Sequence, residues 1–422
     1  MVESSILSRS LTYARINFEG LVLSLPFLVL PVGGKVLVWS IILNVILFLY
    51  KRKWVNCYDF FTFSNRLFYL VLFYAIHIIG LIWTRNFDNA NFELVQKLTF
   101  LICPIVYYSF RNELNQHKRI TLYLFLIGIF SMLLYCFING FYTVWIAHTV
   151  LLHPGGYFPY YNEFCTAIHV SYFSLYVSLA IFIALLEFEK SSHLKTRFLW
   201  IFLILFFFSG IYYLSSKGAW LALALTAIVY LIRLFFIKKQ FRFVLIGGSV
   251  IAGMLLFLTL KNNPRLLYFK EIWVELKHPD KINPEYSSDQ NNGQRIYSLL
   301  SSIDIWKAHP YFGVGTGDAL DSLYFTYHKR NLVELEKKKL NSHNQFASTA
   351  IQFGLLGLFS LLSLFFALFY ESVKHRQFLI CAFALLCFIN MLFESMLCAQ
   401  AGILFFALWY SWFHSVTKQD SN

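Results

Sequence analysis

The chain has 422 residues, of which 58% are hydrophobic and only 14% charged, against roughly 25% charged in soluble domains. Such a composition excludes an ordinary water-soluble globule, and 47 phenylalanines suit helices that face lipid on all sides. The formal charge of +13 sits in short clusters between apolar runs, which is a membrane-topology pattern and argues against nucleic acid as the partner.

A spanning helix needs roughly 20 apolar residues. In chain order the apolar runs predict helices near 17–32, 35–50, 66–83, 94–110, 120–147, 168–187, 198–214, 219–237, 242–260, 344–370, 377–393 and 399–415. The expected fold class is therefore an all-α polytopic membrane protein with about 12 transmembrane helices. Glu3, Arg9, Arg15 and Glu19 precede the first run and no small-residue cleavage site follows cleanly, so no removable signal peptide is expected. The first two helices are short and joined by the turn Pro31-Val32-Gly33-Gly34; they read as two spans or as one re-entrant hairpin.

Lys and Arg then orient the helices. With the N-terminus inside, the even-numbered connections hold Lys51-Arg52-Lys53, Arg111 with Lys118-Arg119, Lys190 with Lys195 and Arg197, Lys238-Lys239 with Arg242, and Lys374 with Arg376. The opposite connections are poor in charge, and the 148–167 segment has no Lys or Arg. The expected organisation is residues 1–260 as helices one to nine, 261–343 as a large, partly helical outer loop, and 344–422 as the last three helices with an inner tail. Long loops cross despite their charge. Within this one, Ile296, Leu299, Leu300, Ile303 and Trp306 have helical spacing, and 318–339 reads as a second helical region. The seven cysteines are scattered, form no CxxC and read as packing residues.

Four spots on the outer side carry chemistry. In Ser215-Ser216-Lys217-Gly218 a cation opens a helix, which suits an anion or is a snorkelling lysine. Arg295 opens an amphipathic helix, as an anion contact or a solvated loop cation. Gly313-Val314-Gly315-Thr316-Gly317-Asp318 follows no strand, so a dinucleotide site is rejected in favour of a turn, with Asp318 capping the next helix. In Asn341-Ser342-His343-Asn344-Gln345 a histidine stands where the loop re-enters the membrane, as a structural residue or as a group that moves protons near neutrality. The acids Glu163, Asp304, Asp318, Asp321 and Glu394 show no ligand spacing, and the first outer turn has no carboxylate, so no metal is expected.

Taken together, Arg295 through GVGTGD to LNSHNQF and IQFGLLGL resembles the signature region of bacterial O-antigen ligases and their relatives. SSKGAW resembles that family's serine-basic-glycine turn, with Lys217 where the family usually has Arg, and FESMLCAQAGILFFAL resembles its last helical pair. The resemblance implies a metal- and cofactor-independent glycosyltransferase of the bacterial inner membrane, its active site facing the periplasm. The implied donor is an undecaprenyl-pyrophosphate-linked glycan, and the implied acceptor a hydroxyl of lipid A–core or another glycan. In that scheme Arg295 and Lys217 clamp the pyrophosphate and His343 is the base. Ser216, Gly218, Gly313, Gly315, Asn341, Asn344 and Glu394 would bind substrate. The same region serves O-antigen polymerases and protein O-oligosaccharyltransferases. A transporter or flippase fits less well, because the helices hold few polar groups (Asn44, His77, Asn139, Asn390) and the notable charges gather at one face.

Overall fold

The computed structural model describes residues 18–56, 60, 65–150, 159–237 and 292–416. The helix expected at 242–260 and the first part of the outer loop lie outside these residues. Among the described residues every regular element is helical. Helices α1 (Phe18–Val29) and α2 (Gly34–Tyr50) flank the expected turn. They are followed by α3 (Phe68–Ile79), α4 (Phe87–Lys97), α5 (Thr99–Ser109), α6 (Arg111–Gln116) and α7 (Lys118–Val150). Next come α8 (Val170–Lys190), α9 (Leu194–Leu214) and α10 (Lys217–Ile237). The segment expected on the outer side, called the outer segment below, supplies α11 (Asn292–Ala308), α12 (Ala319–Lys329) and α13 (Val333–Lys337), and α14 (Gln345–Lys374), α15 (Phe378–Met391) and α16 (Gln400–Val416) complete the bundle.

Five of these, α7 to α10 and α14, are long and apolar enough to cross a membrane. Four apolar helices are shorter: α1, α2, α3 with its 3-10 extension to Ile82, and α15. The run expected at 94–110 divides at Leu98. Its first part starts earlier, because Asn86 caps α4 by accepting from the Asn89 N–H at 3.1 Å, and FDNANFE is too polar for a hydropathy run to reach it.

Helices α8 and α16 form the centre. Residues 402–416 are buried without a break, as are 170–184. Aromatic rings fill the space between helices: Trp409 meets Phe27 at 4.8 Å and Phe125 at 4.9 Å, and Tyr176 stacks on Phe405 at 4.5 Å. The outermost helices do the opposite. Phe198, Phe202 and Leu205 of α9 and Ile228, Ile232 and Phe236 of α10 are exposed. A rim this apolar is stable in lipid and unstable in water.

The connections sort by end. Lys53 pairs with Glu113 at 2.6 Å, Arg66 with Glu371 at 3.7 Å and Arg233 with Glu189 at 2.9 Å. Each pair joins segments at or beside connections that the Lys/Arg count assigns to the inner side. At the other end the outer segment packs down on the bundle. Its GVG turn is spliced into a break in α14. At Gly354 (φ 60, ψ −144) the helix leaves its path, in a region of backbone space open to glycine alone. The Ile351 and Gln352 carbonyls accept from Val314 N at 2.8 Å and Gly315 N at 3.0 Å. Leu355 N and Leu356 N donate to the Pro310 and Tyr311 carbonyls at 2.8 and 3.3 Å. A break inside a membrane helix is tolerated only when its backbone groups are satisfied in this way.

Gly354→Ala is therefore expected to lower the melting temperature of the detergent-solubilised protein. The new β-carbon would collide with the Tyr311 backbone, and the strained φ alone costs on the order of 1–3 kcal/mol. An unchanged melting temperature would show that the splice does not hold the outer segment.

Candidate active site

The site is built around the turn that follows α15. Glu394, only 7% exposed, is fixed by its own N–H to the Asn390 carbonyl at 2.9 Å. One carboxylate oxygen, Oε1, accepts from Arg295 Nη2 at 2.8 Å and from Ser171 Oγ at 3.1 Å. The other, Oε2, faces His343 Nδ1 at 3.6 Å. Arg295 also donates through Nη1 to the Phe393 carbonyl at 3.0 Å. Arg295 lies in the first turn of α11, so these bonds fold the outer segment back over the bundle. Its guanidinium stays 39% exposed. Burial alone would raise the Glu394 carboxyl, but His343, Arg295 and His169 outweigh burial and hold it down at about 2.

His343 is presented by a polar string whose members each have a structural task. Its φ of 46° is left-handed, and its N–H is bonded to Asn341 Oδ1 at 3.0 Å, an Asx turn that accommodates this conformation. Asn344 caps α14 by accepting from Ala347 N at 2.9 Å and ties the string to α15's end through the Leu392 carbonyl at 3.0 Å. Beneath them Ser342, Ser348 and Ser395 hydroxyls bond one another, and Gln345 Oε1 accepts from Leu397 N at 2.6 Å.

The serine-lysine-glycine turn reaches the same place. Ser215 closes α9 in a left-handed conformation (φ 49), Ser216 is buried and Lys217 opens α10 half-buried. A β-carbon on Gly218 would sit 3.3 Å from Phe393 Cβ. Thus Arg295, His343, Glu394 and Asn344 gather at residues 392–394, and the turn of Ser216 and Lys217 reaches them through Gly218. Gly313 and Gly315 do not join them; their close neighbours are the α14 break and Thr84.

The expectation for Asp318 is corrected. Its side chain makes no cap bond to α12. Instead its carboxylate accepts from Arg85 N at 2.7 Å and Asn86 N at 2.8 Å, two donors at the start of α4 in a distant part of the chain. These N–H groups lie at the start of a helix and attract a carboxylate for the same reason that α12's own first turn would. Sequence reasoning also missed Ser171 and His169. A serine one residue into a helix is unremarkable, and its partner Glu394 lies 223 positions away.

Residues 201–362 match the family model described as O-antigen ligase. The match supports membership of the O-antigen ligase family. No curated protein matches the chain. The matched stretch contains Lys217, Arg295 and His343. Glu394 and Ser171, which join the cluster, come from outside the matched stretch.

The depressed carboxyl makes a pH prediction. A folded value of about 2 against an ordinary 4.5 means that ionised Glu394 contributes stability present in full above about pH 4.5 and lost as pH falls towards 2. Glu394→Gln should therefore melt well below wild type at pH 6, and the gap should close progressively between pH 4.5 and 2. A gap independent of pH would mean the carboxylate charge is not what binds α11 to the bundle.

Proposed function

We propose that this protein transfers a glycan from a polyprenyl pyrophosphate to an acceptor hydroxyl at the outer membrane–water boundary, with lipid A–core as the acceptor. The observation that carries this reading is the convergence of Arg295 and His343 on one buried carboxylate, beside the Lys217–Gly218 turn. During transfer the acceptor oxygen bonds to the sugar's anomeric carbon, the sugar–phosphate bond breaks, and negative charge develops on the departing pyrophosphate. Arg295, pinned along one edge by Glu394 and the Phe393 carbonyl, offers a preoriented guanidinium to that charge, and preorganised donors are often the largest catalytic contribution. Lys217 adds a second cation at a helix start.

The acceptor proton goes to His343. Glu394 beside Nδ1 favours the tautomer with its proton there, which leaves the Nε2 lone pair as the base. The donor's lipid anchor accounts for an active site at the edge of the bundle. The domain reading follows: residues 261–343 lie outside the inner membrane on the periplasmic side, and both chain ends lie in the cytoplasm.

Deleting the gene and analysing lipid A–core tests the acceptor. Loss of core-attached long glycan, with polymerised lipid-linked glycan accumulating, supports ligation. Accumulation of single lipid-linked units would replace this reading with polymerisation, and loss of glycan from proteins with lipid A–core unchanged would replace it with protein glycosylation.

A further inference from the structure

A group of tyrosines stands just before the turn that leads to Lys217. Tyr212 and Tyr213 close α9, and Tyr160 packs on both: its hydroxyl lies 3.4 Å from that of Tyr212, and its ring 5.8 Å from Tyr212 and 5.2 Å from Tyr213. Tyr213 is backed by the buried ring of Phe164 at 5.5 Å. Tyr160 and Tyr212 remain half-buried. The next residue, Tyr161, is held at φ 59 with its ring 6.4 Å from His169, two residues before the Ser171 that bonds Glu394. The tyrosines are thus joined to the Lys217 turn along one strand of chain and to Glu394 along another. The 148–167 segment that supplies Tyr160 has no Lys or Arg.

We propose that Tyr160 and Tyr212 form the subsite for the sugar adjoining the donor's pyrophosphate. This rests on the transfer reading above. A pyranose has an apolar C–H face and a rim of hydroxyls; a tyrosine has a flat ring and one phenol, amphipathic in the same sense. The absence of cations on the segment suits an uncharged sugar, while Lys217 next to it takes the charge. Interfacial tyrosines also anchor helices to headgroups, but two phenols paired with each other and linked along the chain through Tyr161 and His169 to the Ser171 that bonds Glu394 fit a ligand.

Binding of two probes to the full chain in nanodiscs tests this: a polyprenyl pyrophosphate without sugar, and the same lipid carrying one N-acetylhexosamine. Wild type should bind the sugar-bearing form about 3- to 10-fold more tightly, the range expected of one good ring contact. Tyr160→Leu and Tyr212→Leu, which keep bulk but lose the flat ring, should remove that preference and leave sugar-free binding unchanged. Tyr160→Phe should keep most of it. Equal wild-type affinity for the two probes overturns the subsite alone, as does a leucine variant that retains the preference or weakens both probes equally. Wild type binding neither probe overturns the transfer reading and the subsite with it.

Discussion

Arg295→Ala should reduce glycan transfer by about 10²–10³-fold, the loss typical of removing one oxyanion-type donor, or about 2.7–4 kcal/mol of barrier. The fork is what matters. Arg295 already spends two N–H groups on Glu394 and the Phe393 carbonyl, and five donors in a fixed plane let the same head group face a pyrophosphate with its other edge. Arg295→Lys restores the charge and can reach only one of these partners well, so it should recover a small part of the rate. Alanine also leaves Glu394 in a buried place with one cation fewer, and unpaired buried charge is destabilising. The measurement is therefore single-turnover transfer in reconstituted protein at a temperature where the variant's melting curve shows it folded. Wild-type rates under those conditions would remove Arg295 from the pyrophosphate site.

His343→Ala should retain donor binding and lose turnover by about 10²–10⁴-fold, the usual contribution of a general base. A second role for an imidazole beside a leaving phosphate is as a cation, and pH separates the two. A base fails as pH falls and it becomes protonated; a required imidazolium fails as pH rises. The proposal expects transfer to fall on the acid side in wild type, and this limb to be missing from the residual activity of His343→Gln. Glu394 does not produce that limb, because its carboxyl is held down at about 2 and is ionised throughout the working range. Near wild-type transfer by His343→Gln would end the base assignment.

Much of the bundle was legible in the sequence because a bilayer imposes one strong rule: apolar runs of spanning length, with cations at the inner ends. The expected starts at 120, 168 and 198 fall within four residues of Lys118, Val170 and Leu194. The rule fails where a helix is neither long nor apolar, as at the start of α4. Arg295, Lys217 and His343 were legible as odd polar residues at membrane edges. What joins them was not. Glu394 collects partners 99 and 223 positions away, and no local pattern carries such distances. The break at Gly354 was hidden for another reason. IQFGLLGL has the composition of an unbroken helix, and only the backbone of residues 310–315 supplies the bonds that let it open.

That splice bears on how such proteins exchange parts. A surface loop is normally portable, since its ends are its only obligations to the scaffold. Here Pro310, Tyr311, Val314 and Gly315 complete the ladder of α14, so a transplanted outer segment would leave four backbone groups of a membrane helix without partners. Recombination that keeps function should cut ahead of α11 and beyond the break at Gly354, carrying donor-specific loop and helix as one cassette. Chimeras cut at 343/344 between relatives with different break geometry should insert and yet melt early.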